Sequence, residues 1–410
     1  MFRLTLLVGL ASCTADDSAY TNAVGPTDGA GGTGGAGGAG GSGGADGTGG
    51  AGGEGGSGGA GGEGGSGGAG GTGGTGLGSV PEFGTAPTFT VIGTSADGLD
   101  TVRDVAFHPF RPEELWTVNQ ESDGVVQFFN PGEAGQTSEE RLDVSRNHFM
   151  EEVAALAFGK DDDTFGSCQE SRNTYDGAQP PDDFMGPVLW PSQSDVFAIE
   201  HQFGLGSHVD MLHQSPFCVG IAWETEHVYW VNDGRNGNLV RYDFAEPHSM
   251  GADDHSDGQI HRWEEVVLTR VAGVPSHMEF DAATAMLFIA DTGAARIHVV
   301  DTTSGTSAGA LSQFLEPLDV YVGWQDATQF TLVDSGLVEP SGLALANGRL
   351  FVSDHATGEI VAYDPLDGTE LGRIATPEGP GIMGIDVGPD GLIYYANGAE
   401  NVVARVNPGP

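Results

Sequence analysis

One short frame of strand-forming residues recurs along this chain, and it constrains the fold more than any other feature. LFIADTGAARIHVVD (287–301), LFVSDHATGEIVAYD (350–364) and VYWVNDGRNGNLVRYD (228–243) share it. LWTVNQESDGVVQFF (115–129) and IYYANGAENVVARV (393–406) fit it as well. Each alternates apolar and polar residues with period two and turns on Gly, Asn or Asp, the pattern of paired strands. A sixth copy is disguised. GSCQES (166–171) aligns with TVNQES (117–122), so Cys168 stands where Asn119 stands. The strand ends then fall at 119, 168, 232, 291, 354 and 397. Repeats of about 40–65 residues, each holding several strands, predict radial repetition of the β-propeller type.

The last copy holds three strands and runs to Pro410, while TFTVIGT (88–94) is an unattached strand at the other end of the repeat region. Pairing the two completes the sixth sheet and closes the ring, which removes free strand edges. The predicted fold is therefore all-β, a six-bladed β-propeller over residues 85–410.

IADTGAARIHVVD resembles the NHL-repeat consensus, in which an Asp ends one strand and Arg-Ile opens the next. The set of repeats is similar to a six-bladed NHL-type propeller over nearly the whole globular region. There is a more distant resemblance to the peptidyl-amidating lyase and to gluconolactonase-like propellers. That superfamily includes binding modules, lactonases and the amidating lyase, and the chain carries no full catalytic signature of any of them. The amidating lyase gathers histidines from several blades around a metal, in Pro-His-Ser or His-Gly contexts. Here the order is Pro275-Ser276-His277, displaced by one position.

Propeller topology predicts which loops share a face. The innermost strand of a blade starts on the top face, so the connections between blades and the second-to-third strand turns lie there. His148 and His213 each stand eight residues ahead of an inward apolar residue, Leu156 and Ile221. His277 directly precedes Met278, the inward apolar residue of the next blade. The three are predicted to meet at the channel mouth. Three imidazoles suit Zn²⁺ or a similar divalent ion and leave one coordination position open. Glu152, just ahead of an inner strand, is the candidate general base. His208 and Asp210, in the same connection as His213, are alternate ligands. The competing reading makes all of these hydrogen-bonded residues of a polar rim.

GADDHSDGQIH (251–261) crowds Asp253, Asp254, His255 and Asp257 ahead of Gly258. Oxygen-rich loops with glycine hold Ca²⁺ in other proteins, although EF-hand spacing is absent here. It joins the third and fourth strands of blade three, so the topology assigns it to the bottom face, away from the histidines. Cys168 ends a second strand and Cys218 begins the next blade's inner strand, so a Cys168–Cys218 disulfide is expected on the top.

The chain opens MFRLTLLVGLASC. An apolar run this short suits a secretory signal rather than a membrane span. Leu10-Ala11-Ser12-Cys13 resembles the bacterial lipobox, which implies cleavage, a lipid on Cys13 and an anchor in the outer membrane or at the cell surface, the periplasmic face included. Residues 1–13 are read as the signal and 14–84 as a Gly-rich tether. About 65 residues of such flexible coil span roughly 45 Å.

Lys and Arg number 15 against 58 Asp and Glu, a formal charge of −43. Phosphate backbones repel such a chain, so nucleic acid is excluded as a partner. No Gly-x-Ser-x-Gly elbow, phosphate loop or dinucleotide fingerprint stands where a strand runs into a helix. The leading expectation is an exported, lipid-anchored propeller that binds a small molecule, glycan, peptide or metal at its top-face mouth. A metal-dependent lyase or hydrolase using the three histidines is one alternative. A protein-interaction scaffold without pocket chemistry is the other.

Overall fold

In the computed structural model, residues 80–173, 181–199 and 204–410 are described. The expected signal segment with Cys13, and the tether up to residue 79, lie outside them.

The repeat frames fold as expected into six sheets around a common axis. Blade one is Val102–Phe107, Glu114–Asn119, Gly124–Phe129 and Thr137–Arg141, each strand antiparallel to the last. Blades two to five start on the inner strands Val153–Phe158, Cys218–Thr225, Met278–Asp281 and Pro340–Ala346. Blade six is Ile382–Val387, Ile393–Asn397 and Val402–Asn407, and its outer strand is Thr88–Gly93 from the opposite end of the chain. The registers Thr88↔Asn407 and Phe89↔Val406 close the ring by giving blade six its fourth, outer strand.

Blades are buried on both faces, which explains why their second strands, such as LWTV and LFIA, hold large apolar side chains. Six apolar clusters form, each drawn from two adjacent blades. Between blades one and two, Trp116 meets Phe165 edge-on at 5.4 Å. Six clusters for six interfaces make a closed ring in which every blade is held from both sides. Cys168 and Cys218 form a disulfide with Cα atoms 5.2 Å apart, joining blade two to blade three as the sequence predicts.

Two departures from the regular pattern decide where the site lies. The outer strand of blade two shrinks to Asp210–Met211, paired only with Leu189 and Val188, so that sheet has a nearly bare outer edge. Blade four's long connection between its third and outer strands does not stay with blade four. It forms the strands Thr306–Ala310 and Val320–Gln325, and the second pairs in parallel with blade three's outer strand, Gln259–Val267. Blade three thereby becomes a six-stranded sheet.

Candidate metal centre at the outer edge of blades two and three

The histidines gather on the periphery, not at the channel mouth. Asp143 organises the inner wall of this pocket. Its Oδ2 accepts the Ser207 amide at 2.8 Å and hydroxyl at 2.7 Å, and its Oδ1 accepts the Ser145 amide at 2.8 Å. One carboxylate thus clamps the turn that carries His208 to the segment that leads into the single-turn helix Arg146–Phe149, which carries His148. Gly206 sits at φ +76°, and a Cβ there would strike Asp143 Oδ1, so the clamp requires glycine. His208 then lies flat on Phe149, ring centres 3.9 Å apart.

The acidic loop of blade three closes over this wall. The Gly251 amide donates to the His208 carbonyl at 2.9 Å. Gly258 packs so tightly on Leu212 that a Cβ would fall 2.3 Å from its Cδ2. His248 and His255 are brought in by this loop. The Gly258 carbonyl in turn accepts the Asp319 amide at 3.1 Å, which anchors the excursion from blade four and delivers Glu316. Glu316 Oε1 accepts from His213 Nδ1 at 2.8 Å and His255 Nδ1 at 3.2 Å, and Oε2 accepts the His213 amide at 3.0 Å. His213 is stacked on Phe184 with ring centres 3.5 Å apart, and His148 follows at 6.0 Å from His213.

Two groups in this pocket are close enough to share an ion. In His208, His248 and His255 the nitrogens lie within 4.8 Å of one another, as do the donor atoms of His213, His255 and Glu316. The first group has a feature typical of metal-binding histidines. Each ring commits Nδ1 to an oxygen: His208 to the Leu205 carbonyl at 2.8 Å, His248 to the Ser249 carbonyl at 2.8 Å, and His255 to Glu316. In each ring Nε2 is shielded from solvent and has no hydrogen-bond partner in the protein. An Nδ1–H tied to oxygen sets the tautomer that leaves the Nε2 lone pair for a cation.

Electrostatics keeps the lone pairs of His208 and His248 available. Burial pulls the pKa of His208 down to about 3 and that of His148 to about 4, and it lowers those of His213 and His248 as well. His255 is the exception. Burial works against its charged form, but the hydrogen bond to Glu316 and the Asp210 carboxylate outweigh it and raise its pKa. Burial disfavours the charge on Glu316 too, yet the bonds from His213 and His255 hold its pKa below the ordinary carboxylate range. Asp210, fully buried, is pushed up to about 7 by desolvation, and its Oδ2 has no partner.

No family model matches the chain, and neither does any curated protein. The likeness is to solved folds. An auxiliary nutrient binding protein from Bacteroides ovatus aligns at a TM-score of 0.51 with 11% identity, over 79% of this chain and 77% of that one. A second auxiliary nutrient binding protein, from Bacteroides thetaiotaomicron, aligns at 0.50 with 10% identity, over 78% and 76% of the two chains. At this identity the shared property is the propeller fold.

Several expectations are corrected by the geometry. His277 does not join His148 and His213. It lines the central channel, with Nδ1 3.3 Å from Asp104 Oδ1 and Nε2 3.3 Å from the Ala154 carbonyl. Glu152 does not reach the pocket either. Its amide donates to Asp123, and the charges acting on its carboxyl are Glu151, Glu170, Arg103 and Glu121 on the channel's top rim. The acidic loop, assigned by topology to the opposite face, lies against the histidines. The reason is twist: neighbouring strands rotate by about 20–25°, so by the fourth strand the direction has swung through about 60–75°. Top and bottom are well defined for inner strands. At the rim a nominally bottom loop swings toward the neighbouring blade. Asp253 and Asp254 stand at the mouth of the histidine pocket. The two ion-sized groups among the described residues contain neither of these nor Asp257, which spends Oδ2 on the Glu246 amide.

Of the sequence candidates, His148, His208, Asp210 and His213 are brought to one region. His248, His255 as a partner of the cluster, and Glu316 were missed. The 63-residue interval between 291 and 354 signals an insertion, but nothing in it reveals that it crosses to blade three.

Proposed function

We propose that this propeller binds a divalent transition-metal ion of the zinc class at its outer edge, on His208, His248 and His255, and presents it to a ligand. The observation that carries the reading is the set of three Nε2 atoms, each bare, each in a ring whose Nδ1 is already tied to oxygen. Neutral imidazoles select borderline cations over calcium, which takes oxygen. Three protein ligands leave a position open, and two of them, His208 and His255, line a cavity of about 320 Å³ walled by Phe149, Phe184, Leu205 and Leu315. That size and lining suit a small ligand. The likeness in fold to two Bacteroides nutrient binding proteins supports a ligand-binding role in general. The open position also favours a second reading, a metal-dependent lyase or hydrolase at the same centre.

The domain is further proposed to be exported and lipid-anchored through Cys13, with the glycine-rich residues up to 79 as its tether; Val80 and Phe83, expected in the tether, pack instead in the core between blades five and six. Ser12-Cys13 and the glycine-rich run support this. Mass spectrometry of the membrane fraction would detect the lipid on Cys13, and Cys13→Ala should release the protein.

The test of the metal reading is zinc content after dialysis and reloading. Wild type should hold one zinc per chain. His208→Ala and His255→Ala should each lose it, and His277→Ala should keep it. Equal zinc in all four would end the proposal.

A further inference from the structure

Resting on the metal reading above, we infer that the pocket's ligand is a peptide N-terminus or amino-acid amide with an apolar side chain. Its carbonyl oxygen takes the open metal position and its ammonium group meets the acidic rim.

The argument rests on what the pocket offers. Its walls are apolar, from Phe149, Phe184, Leu205, Leu315 and Pro317. Leu315 is 70% exposed at the rim and sits at φ +60°, a conformation costly for a bulky residue. An exposed apolar side chain held in strained backbone beside a cavity is suited to contact a ligand. Among the lining residues there is no Lys or Arg.

The polar groups that face the cavity accept rather than donate. His213 is 3% exposed, and its Nδ1 donates to Glu316, so its Nε2 carries a lone pair with no partner in the protein. Asp253 and Asp254 stand at the mouth as exposed carboxylates. Of the donors nearby, Asn173 Nδ2 gives an N–H to Asp182 and Ser256 Oγ donates to Asp254. A surface of acceptors calls for a ligand rich in N–H groups. A ligand carboxylate would be drawn to the ion, but Glu316, Asp253 and Asp254 together outweigh the ion's two positive charges. An ammonium group beside a neutral carbonyl satisfies both sides.

The experiment uses the full chain loaded with zinc and three probes measured by calorimetry. L-leucinamide has amine, neutral carbonyl and apolar body. Glycinamide lacks the apolar body. 4-Methylpentanoate keeps the body but replaces the amide and amine with a carboxylate. Leucinamide should bind more tightly than glycinamide by about tenfold or more, the effect of taking a four-carbon side chain out of water. It should also bind more tightly than 4-methylpentanoate, by about tenfold. The double substitution Asp253→Asn with Asp254→Asn, on exposed residues, should cost leucinamide several-fold in affinity while zinc content stays at one per chain. If zinc binds on the three histidines but 4-methylpentanoate equals or beats leucinamide, the ligand assignment falls and the metal centre stands. If no zinc is held, the metal reading fails first and the ligand assignment falls with it.

Discussion

The central channel and the peripheral pocket both bury histidine among carboxylates, yet they use them in opposite ways. In the channel the polar groups are used up by the ring itself. Asp104 of blade one accepts the Leu156 amide of blade two at 2.9 Å, and Asp386 of blade six accepts the Phe107 amide of blade one at 2.7 Å. His277 has an oxygen neighbour for each ring nitrogen. These side chains couple blades. At the periphery His208, His213, His248 and His255 each tie Nδ1 to an oxygen and leave Nε2 without a hydrogen-bond partner in the protein. Inner strands are regular, so their polar atoms can be matched blade to blade. The outer pocket is built from connections whose lengths differ, and that freedom leaves lone pairs for something other than the protein.

The contrast is sharpest where metal meets stability. Zinc at a hundred times its dissociation constant should stabilise wild type by about 2.7 kcal/mol in denaturant unfolding. His208→Ala should abolish this gain and His277→Ala should leave it intact. A gain lost with His277 instead would put the ion in the channel and break the comparison.

Asp104→Ala should lower stability by about 2 kcal/mol, since it removes the buried acceptor of the Leu156 amide, and should leave zinc content unchanged. Falling zinc would mean that channel and pocket are coupled.

The channel's pH response tests the same division. Burial raises the pKa of Glu279 to about 8, with Lys160 opposing and Asp386 and Asp104 reinforcing. A carboxyl raised in the fold contributes stability fully present below its unfolded pKa, near 4.5, and lost as pH rises through about 8. Glu279→Gln should therefore gain on wild type between pH 5 and pH 9, by about 1–2 kcal/mol, when melts are compared. Parallel pH profiles would show that the channel is wetter than its lining implies.

The smallest expected change is at the pocket's rim. Leu315→Asn should raise stability by about 0.5 kcal/mol, because Asn tolerates the left-handed backbone. The same variant should weaken leucinamide binding, so thermal and calorimetric readouts move in opposite directions.

Much of the architecture was readable from residues alone. Period-two alternation with Asn or Asp at the strand ends located the second strand of five blades. The match of GSCQES to TVNQES placed Cys168 at a strand end and so pointed to its partner Cys218. The equal offsets of His148 and His213 reflect a real proximity, since both precede inner strands of adjacent blades. His277 stands only one residue ahead of Met278, directly before its inner strand, and so faces the channel.

Local sequence thus determined the strands, their order, the ring and the disulfide, because alternation and turn residues act within a few positions of the chain. Tertiary structure alone decided which groups meet at the rim. The accumulated twist of each blade, the two-residue outer strand of blade two and the parallel pairing of Val320–Gln325 with Gln259–Val267 brought His208, His255 and Glu316 together. Those contacts join residues from three blades. Their geometry depends on how whole sheets rotate against one another, which no short-range pattern encodes.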